Sequence, residues 1–234
     1  MPEPGTGVNA DPRWDWAKVR HDPAGGRTLT GHRPRGILPT QAVRRRDVLG
    51  ESSGSQAIMV LRHWYFAYGS NMQTATFRGR RGIEFSRAVA ARAAGWRLAL
   101  DKPPLLPIGE SFANIVADPS GTVLGVLYEV GDDDLVHIDL TEGVQIGNYR
   151  RIEIAVAPLA HPGEEWRAQT LVSDQRDATL RPSRRYLSCL ISGAEEHGLP
   201  GDYVDWLRRL EGCEESEDAR RLRPLLDRVM RRPR

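Results

Sequence analysis

Three short stretches of the 234-residue chain carry side chains suited to chemistry. The first is Tyr68-Gly69-Ser70-Asn71, which follows the apolar run Trp64-Tyr65-Phe66-Ala67. A strand that ends in Gly directly before a helix start leaves backbone N–H groups at an open edge, and Gly lets a ligand come close. Those N–H groups, with the ones of the first helical turn, form an anion site fitted to the carboxylate of a small ligand. The plain alternative is a strand-to-helix turn with Asn71 as N-cap. The tetrapeptide alone does not choose between them.

The second stretch is Ile138-Asp139-Leu140-Thr141-Glu142-Gly143-Val144, followed by Gly147-Asn148-Tyr149. Glu142 ends a presumed helix. A carboxylate held between an apolar helix and a strand is partly desolvated, and desolvation makes a carboxylate usable as a general acid/base. Taken alone, a solvated Glu in a last turn is the commoner case. The third stretch is Ser183-Arg184-Arg185-Tyr186. A Tyr on the inner face of a helix offers its hydroxyl to a ligand, although such a residue is more often core with its hydroxyl satisfied.

The elements that must position these residues follow from pattern. Trp64–Tyr68, Trp96–Leu100, Phe112–Ala117, Thr122–Val130, 151–156 and Arg167–Val172 read as strands, by apolar runs or by alternation such as Ile152, Ile154 and Val156. Asp118-Pro119-Ser120-Gly121 reads as a turn, making a hairpin of the strands on either side. Met72–Arg80 is expected to be a short helix. Asp132 is expected to cap the helix that carries Glu142, with Asp133 and Asp134 in its first turn. Ser183 starts an amphipathic helix that stops at Gly198, Gly201–Glu211 a shorter one, and Glu217–Arg231 a charged, solvated one. About six strands with too few crossover helices for a doubly wound sheet predict an α+β fold, a small mixed β-barrel with flanking helices.

Residues 1–62 differ: they are rich in Gly, Pro, Arg, Asp and Ser, with apolar residues that lack a period. Such a segment buries too little surface to offset its ordering entropy, so a disordered extension is expected. Met59 would also serve as a start, which leaves open whether residues 1–58 are translated. The domain itself is expected over 63–212, and 213–234 as a charged C-terminal helix or tail. The Arg-rich pieces before residue 59 could dock onto an acidic partner, but a solvated tail is the simpler reading.

Bulk numbers exclude more than they assign. A formal net charge of +2 gives no reason to expect nucleic acid or a membrane as partner. No apolar stretch approaches the roughly 20 residues that span a bilayer. Cys189 and Cys213 form no C-x-x-C pair, and His63, His137, His161 and His197 show no metal-ligand spacing. Reduced thiols and a cytoplasmic location are expected.

Together the three stretches resemble the γ-glutamylcyclotransferase (AIG2-like) family. The resemblance lies in Tyr65-Phe66-Ala67-Tyr68-Gly69-Ser70-Asn71-Met72 and in Asp139-x-x-Glu142-Gly143-Val144 with Gly147-x-Tyr149 downstream. The late segment from Tyr186 to Pro200, with Gly193-Ala194 and His197-Gly198-Leu199-Pro200, is also similar. Ala113-Asn114-Ile115 and Gly125-Val126-Leu127-Tyr128 fall where the family has central barrel strands. The resemblance covers residues 64–211. It implies cleavage of a γ-glutamyl amide to 5-oxoproline and a free amine, without metal or cofactor. Glu142 would be the general acid/base; Tyr68, Gly69, Ser70, Asn71 and Met72 the substrate loop; Tyr186 a further substrate contact. The partner implied is a small γ-glutamyl compound such as those of glutathione metabolism, and a homodimer is left open.

Two features depart from the family pattern. Pro103-Pro104-Leu105-Leu106-Pro107 is unusually Pro-rich, and Phe112 stands where a small residue is usual. Phe112 would reshape the wall facing the leaving group, so the substrate need not be a free dipeptide. A non-catalytic module that binds a γ-glutamyl metabolite, and a tailoring enzyme that strips a protecting γ-glutamyl group in secondary metabolism, are the rival readings.

Overall fold

The computed structural model describes residues 61–106 and 108–232. The expected disorder of the N-terminal extension, 1–62, and the docking arm within it lie outside the described residues, save for Leu61 and Arg62, where Arg62 begins the first strand.

Five strands close into a barrel. They are β1 (Arg62–Ala67), β2 (Phe85–Lys102), β3 (Phe112–Gly131), β4 (Arg150–Pro158) and β5 (Trp166–Val172), in the order β1-β3-β2-β4-β5. All pairings are antiparallel except the closing one, where Tyr65 of β1 meets Gln169 of β5 in parallel. Four α-helices follow: α1 (Asp132–Thr141), α2 (Arg184–Glu196), α3 (Gly201–Arg208) and α4 (Glu217–Met230). The core is built from alternating inward residues such as Phe66, Ile115, Leu127 and Ile154, with Leu190 and Leu207 brought in by α2 and α3.

The α+β barrel with flanking helices is as expected, but the strand count is five. Phe112–Ala117 and Thr122–Val130 do not form a hairpin. They are one continuous strand, β3, paired along its length with β2. Across Ala94↔Thr122 and Trp96↔Ala117 only Gly95 is skipped on β2, against Asp118 to Gly121 on β3. The Asp-Pro-Ser-Gly turn signal is therefore an extra loop of residues in one strand of a continuing ladder, and the twist it adds helps close the barrel. The first half of β2, Phe85 to Gly95, shows no apolar alternation in its Ala- and Arg-rich sequence. Pairing with β3 makes it a strand regardless, and Ala91 and Ala93 face the core.

Local starts also differ from expectation. Asn71 is not an N-cap: it sits inside a tight 3₁₀ turn, Ser70–Met72, with its side chain buried and turned to the cavity described below. The expected helix over Met72–Arg80 is that turn followed by a wide, π-type turn over Ala75–Arg80. Asp132 is the first residue of α1, and Gly131 precedes it as cap. Ser183 does cap α2, its hydroxyl accepting from the Tyr186 N–H at 3.1 Å.

Candidate active site

Glu142 follows the last turn of α1, where its N–H still bonds to the Ile138 carbonyl at 3.0 Å. Gly143 then takes φ +70°, a left-handed conformation that turns the chain off the helix axis. The turn brings Asn148 back, and its Nδ2 donates to the Glu142 carbonyl at 2.9 Å. The end of α1 is thus fastened, and the Glu142 side chain is delivered into a cavity of about 580 Å³.

Two groups hold the carboxylate there. Asn71 Nδ2 donates to Glu142 Oε1 at 3.0 Å, and the Arg81 guanidinium is 2.8 Å from the same oxygen. The carboxylate is 16% exposed and the guanidinium 11%. Desolvation of an unpartnered acid is therefore not the arrangement; the carboxylate is buried with a compensating cation. Arg81 is a residue that sequence reasoning missed. It lies just past the predicted end of the Met72–Arg80 helix, and nothing in the local pattern marks it.

The loop after β1 forms the facing wall. Gly69 lies against the Tyr186 hydroxyl and the Ala113 methyl; a Cβ on Gly69 would come within 3.0 and 3.2 Å of them. Tyr186 enters from the first turn of α2, and its hydroxyl accepts the Ala113 N–H at 3.0 Å. Burial raises the ionisation of the Tyr186 phenol well above its ordinary range, so it stays neutral and serves as a hydrogen-bonding group. The Tyr68 hydroxyl is already committed to the Leu171 carbonyl at 2.5 Å, so its ring forms the wall. The Tyr149 hydroxyl is held by the Ala113 carbonyl at 2.9 Å.

The fold thus brings Tyr68, Gly69, Ser70, Asn71, Glu142 and Tyr186 onto one cavity. Met72 stands apart. It is fully buried behind the wall, its carbonyl accepting from the Tyr128 hydroxyl at 2.6 Å. Phe112 lines the cavity and meets the Tyr186 ring edge-on, centroids 5.0 Å apart. Lys102, also missed in the sequence, is fully buried at the end of β2. Its ammonium donates to the Asn148 side-chain carbonyl and to the Pro103 carbonyl.

Comparison with known proteins finds relatives of the same kind. Residues 122–207 match the model of the AIG2-like family. The chain is 31% identical over 169 residues to the γ-glutamyl cyclotransferase aclK of Aspergillus oryzae, covering 64% of this chain and 62% of the fungal protein. The γ-glutamylcyclotransferase of Bos taurus is 29% identical over 154 residues, 63% of this chain and 78% of the bovine one. The chain is similar to γ-glutamylcyclotransferases over about two thirds of its length.

The fold agrees as well. A human protein of known crystal structure superposes with a TM-score of 0.57 at 26% identity, covering 69% of this chain and 97% of that one. The AIG2-like match, residues 122–207, stops short of α4, which packs here against the cavity: Ala219, Arg223, Leu226, Val229 and Met230 all reach its lining. An Arg80–Asp227 ion pair, and Arg232 on Asp134 at 2.8 Å, fasten the C-terminal segment in place. The helix read as solvated has one face on the site. Among the described residues, Cys189 and Cys213 are free thiols, no group of three or more His, Cys, Asp or Glu is arranged to hold a metal ion, and no helix is long and apolar enough to cross a membrane.

Proposed function

We propose that the protein is a cofactor-independent cyclotransferase that cleaves a γ-glutamyl amide to 5-oxoproline and a free amine. The observation that carries this reading is the Glu142 carboxylate, directed into the cavity by Asn71 and Arg81 and facing a wall built from the Gly69–Ser70 backbone and Tyr186. A pure binding module has no use for a fixed carboxylate at that place.

The reaction is intramolecular. The α-ammonium of the glutamyl unit loses a proton to Glu142, and the resulting amine attacks its own γ-carbonyl. A C–N bond forms to close the five-membered ring. The ring nitrogen gives up its extra proton to solvent, the amide C–N bond breaks, and Glu142 returns its own proton to the departing amine. Since the nucleophile belongs to the substrate, the site needs no Ser, Cys or Lys nucleophile. Ring closure is a problem of orientation, so a cavity that holds the chain bent contributes as much as the proton transfer. The backbone of the Tyr68–Asn71 loop suits either the α-carboxylate or the oxyanion on the γ-carbonyl.

The test is 5-oxoproline release from a panel of γ-glutamyl amino acids, γ-glutamyl amines and glutathione, with Glu142→Gln beside the parent. Release that Glu142→Gln abolishes is the expected outcome. Release that survives the substitution removes Glu142 from the mechanism. No release at all, with thermal stabilisation by the same compounds, would make the protein a binding module.

A further inference from the structure

We propose that the cavity extends from Glu142 into a subsite for a large apolar leaving group, so that the substrates are γ-glutamyl amides of bulky apolar amines or amino acids. The proposal deepens the cyclisation reading and rests on it. Its first support is size. A cavity of about 580 Å³ matches pockets that take a drug-sized ligand, roughly 300–1,000 Å³. A γ-glutamyl group bearing a small amine would leave much of it unfilled.

The second support is where the exposed apolar residues lie. Single exposed apolar side chains scattered over a surface are ordinary, whereas a convergent set marks a binding site. Eight large hydrophobic residues are exposed among the described residues, and five of them line this one cavity. These are Leu105 (60% exposed), Leu106 (39%), Leu140 (63%), Ile146 (65%) and Val229 (80%). They come from three separate segments: the Pro-rich run after β2, the end of α1 with the turn beyond it, and α4. Leu140 and Glu142, both from the end of α1, line the same cavity.

The chemistry fixes which half of the substrate meets that surface. The glutamyl unit must present its amine and γ-carbonyl between Glu142 and the wall of Gly69, Ser70 and Tyr186. The departing amine takes its proton from Glu142, so its substituent extends from the carboxylate into the rest of the cavity. Glu215 pairs with Arg223 at 2.5 Å and lies 3.9 Å from Arg185. Glu110 Oε1 and Arg223 Nε, buried on the same lining, have no partner among the described residues, so the apolar character belongs to the exposed rim. Pro104, Leu105 and Leu106, from a stretch that no family feature explains, thereby acquire a role as one wall of the subsite.

The full chain should be assayed with γ-glutamyl-alanine, -norvaline, -leucine and -phenylalanine, and with γ-glutamyl amides of propyl-, pentyl- and heptylamine. The expected kcat/KM rises about two- to fourfold per added methylene, the upper figure being full burial. Leu105→Asn and Val229→Asn should flatten that rise. Val136→Asn, an exposed apolar residue of α1 that does not line the cavity, should leave it unchanged. Cleavage of the short probes with a flat or falling series would overturn the subsite while leaving the cyclisation reading intact. A flat series accompanied by a dimer that Val229→Asn dissociates would make the apolar rim an interface between copies instead, and overturn it too. No 5-oxoproline from any probe would remove the cyclisation reading and this proposal with it.

Discussion

Asn71 Nδ2 lies 3.0 Å from Glu142 Oε1, joining two motifs 71 residues apart in the chain. The same amide nitrogen is 3.3 Å from the Tyr65 hydroxyl, so Asn71 bridges the barrel wall and the carboxylate. Asn71→Leu should leave the barrel folded and lower kcat by roughly ten- to a hundredfold, the size of a lost hydrogen bond to a charged group. Because the bond orients the acid/base and does not grip the substrate, KM should change little. A variant whose KM rises while kcat holds would place Asn71 in substrate binding instead.

Glu142→Gln keeps the shape of the side chain and its contact with Asn71 but removes the proton acceptor. Turnover should fall roughly 10²- to 10⁴-fold, as for other positioned acid/base groups. Arg81→Met attacks the same centre from the other side, leaving a carboxylate at 16% exposure without its cation. It should lower both stability and turnover, since breaking a buried pair by removing one partner leaves an uncompensated charge. In the double variant Arg81→Met/Glu142→Gln, thermal melts should show stability recovered relative to Arg81→Met alone. Strictly additive losses would mean that the pair is not coupled.

Gly193 of α2 is where that helix meets the turn after β1. A Cβ there would sit 2.6 Å from the Gln73 nitrogen and 2.7 Å from the Met72 carbonyl carbon, both backbone atoms that cannot swing aside. Gly193→Ala should destabilise by about 1–3 kcal/mol through overpacking. It should also raise KM, because the displaced backbone continues directly from Ser70 and Asn71. A denaturant melt and a KM both equal to the parent's would show that the helix backs away at no cost.

The sequence made the barrel class, the Glu142 motif and the Tyr68–Asn71 loop legible because each rests on local chemistry: an apolar run before Gly, a helix ending before a left-handed Gly143, Ser183 as a cap. What it hid depends on pairing and on distance. Phe85 to Gly95 is a strand only because β3 lies beside it, and Asp118–Gly121 reads as a turn although the ladder continues past it. Arg81 and Lys102 carry no local signal, since the side chains they meet in the site, Glu142 and Asn148, are distant in the chain. The helix α4 read as charged and solvated, and that one of its faces lines the cavity was not legible.

Lys102 supplies a prediction about pH. Burial lowers its ammonium from an ordinary 10.5 to about 8, with Glu142 opposing the shift. Below about pH 8 both folded and unfolded chains carry the proton, and the burial cost is fully present. Between about 8 and 10.5 the unfolded chain binds more protons than the folded one, so this group's contribution to stability rises with pH. Lys102→Met lacks that contribution but shares every other titrating group. The stability difference between the two proteins should therefore move in favour of the parent as pH is raised from 8 to 10, whatever its sign at pH 7. Urea unfolding of both across that range measures it, and parallel curves would show that Lys102 titrates as an ordinary lysine.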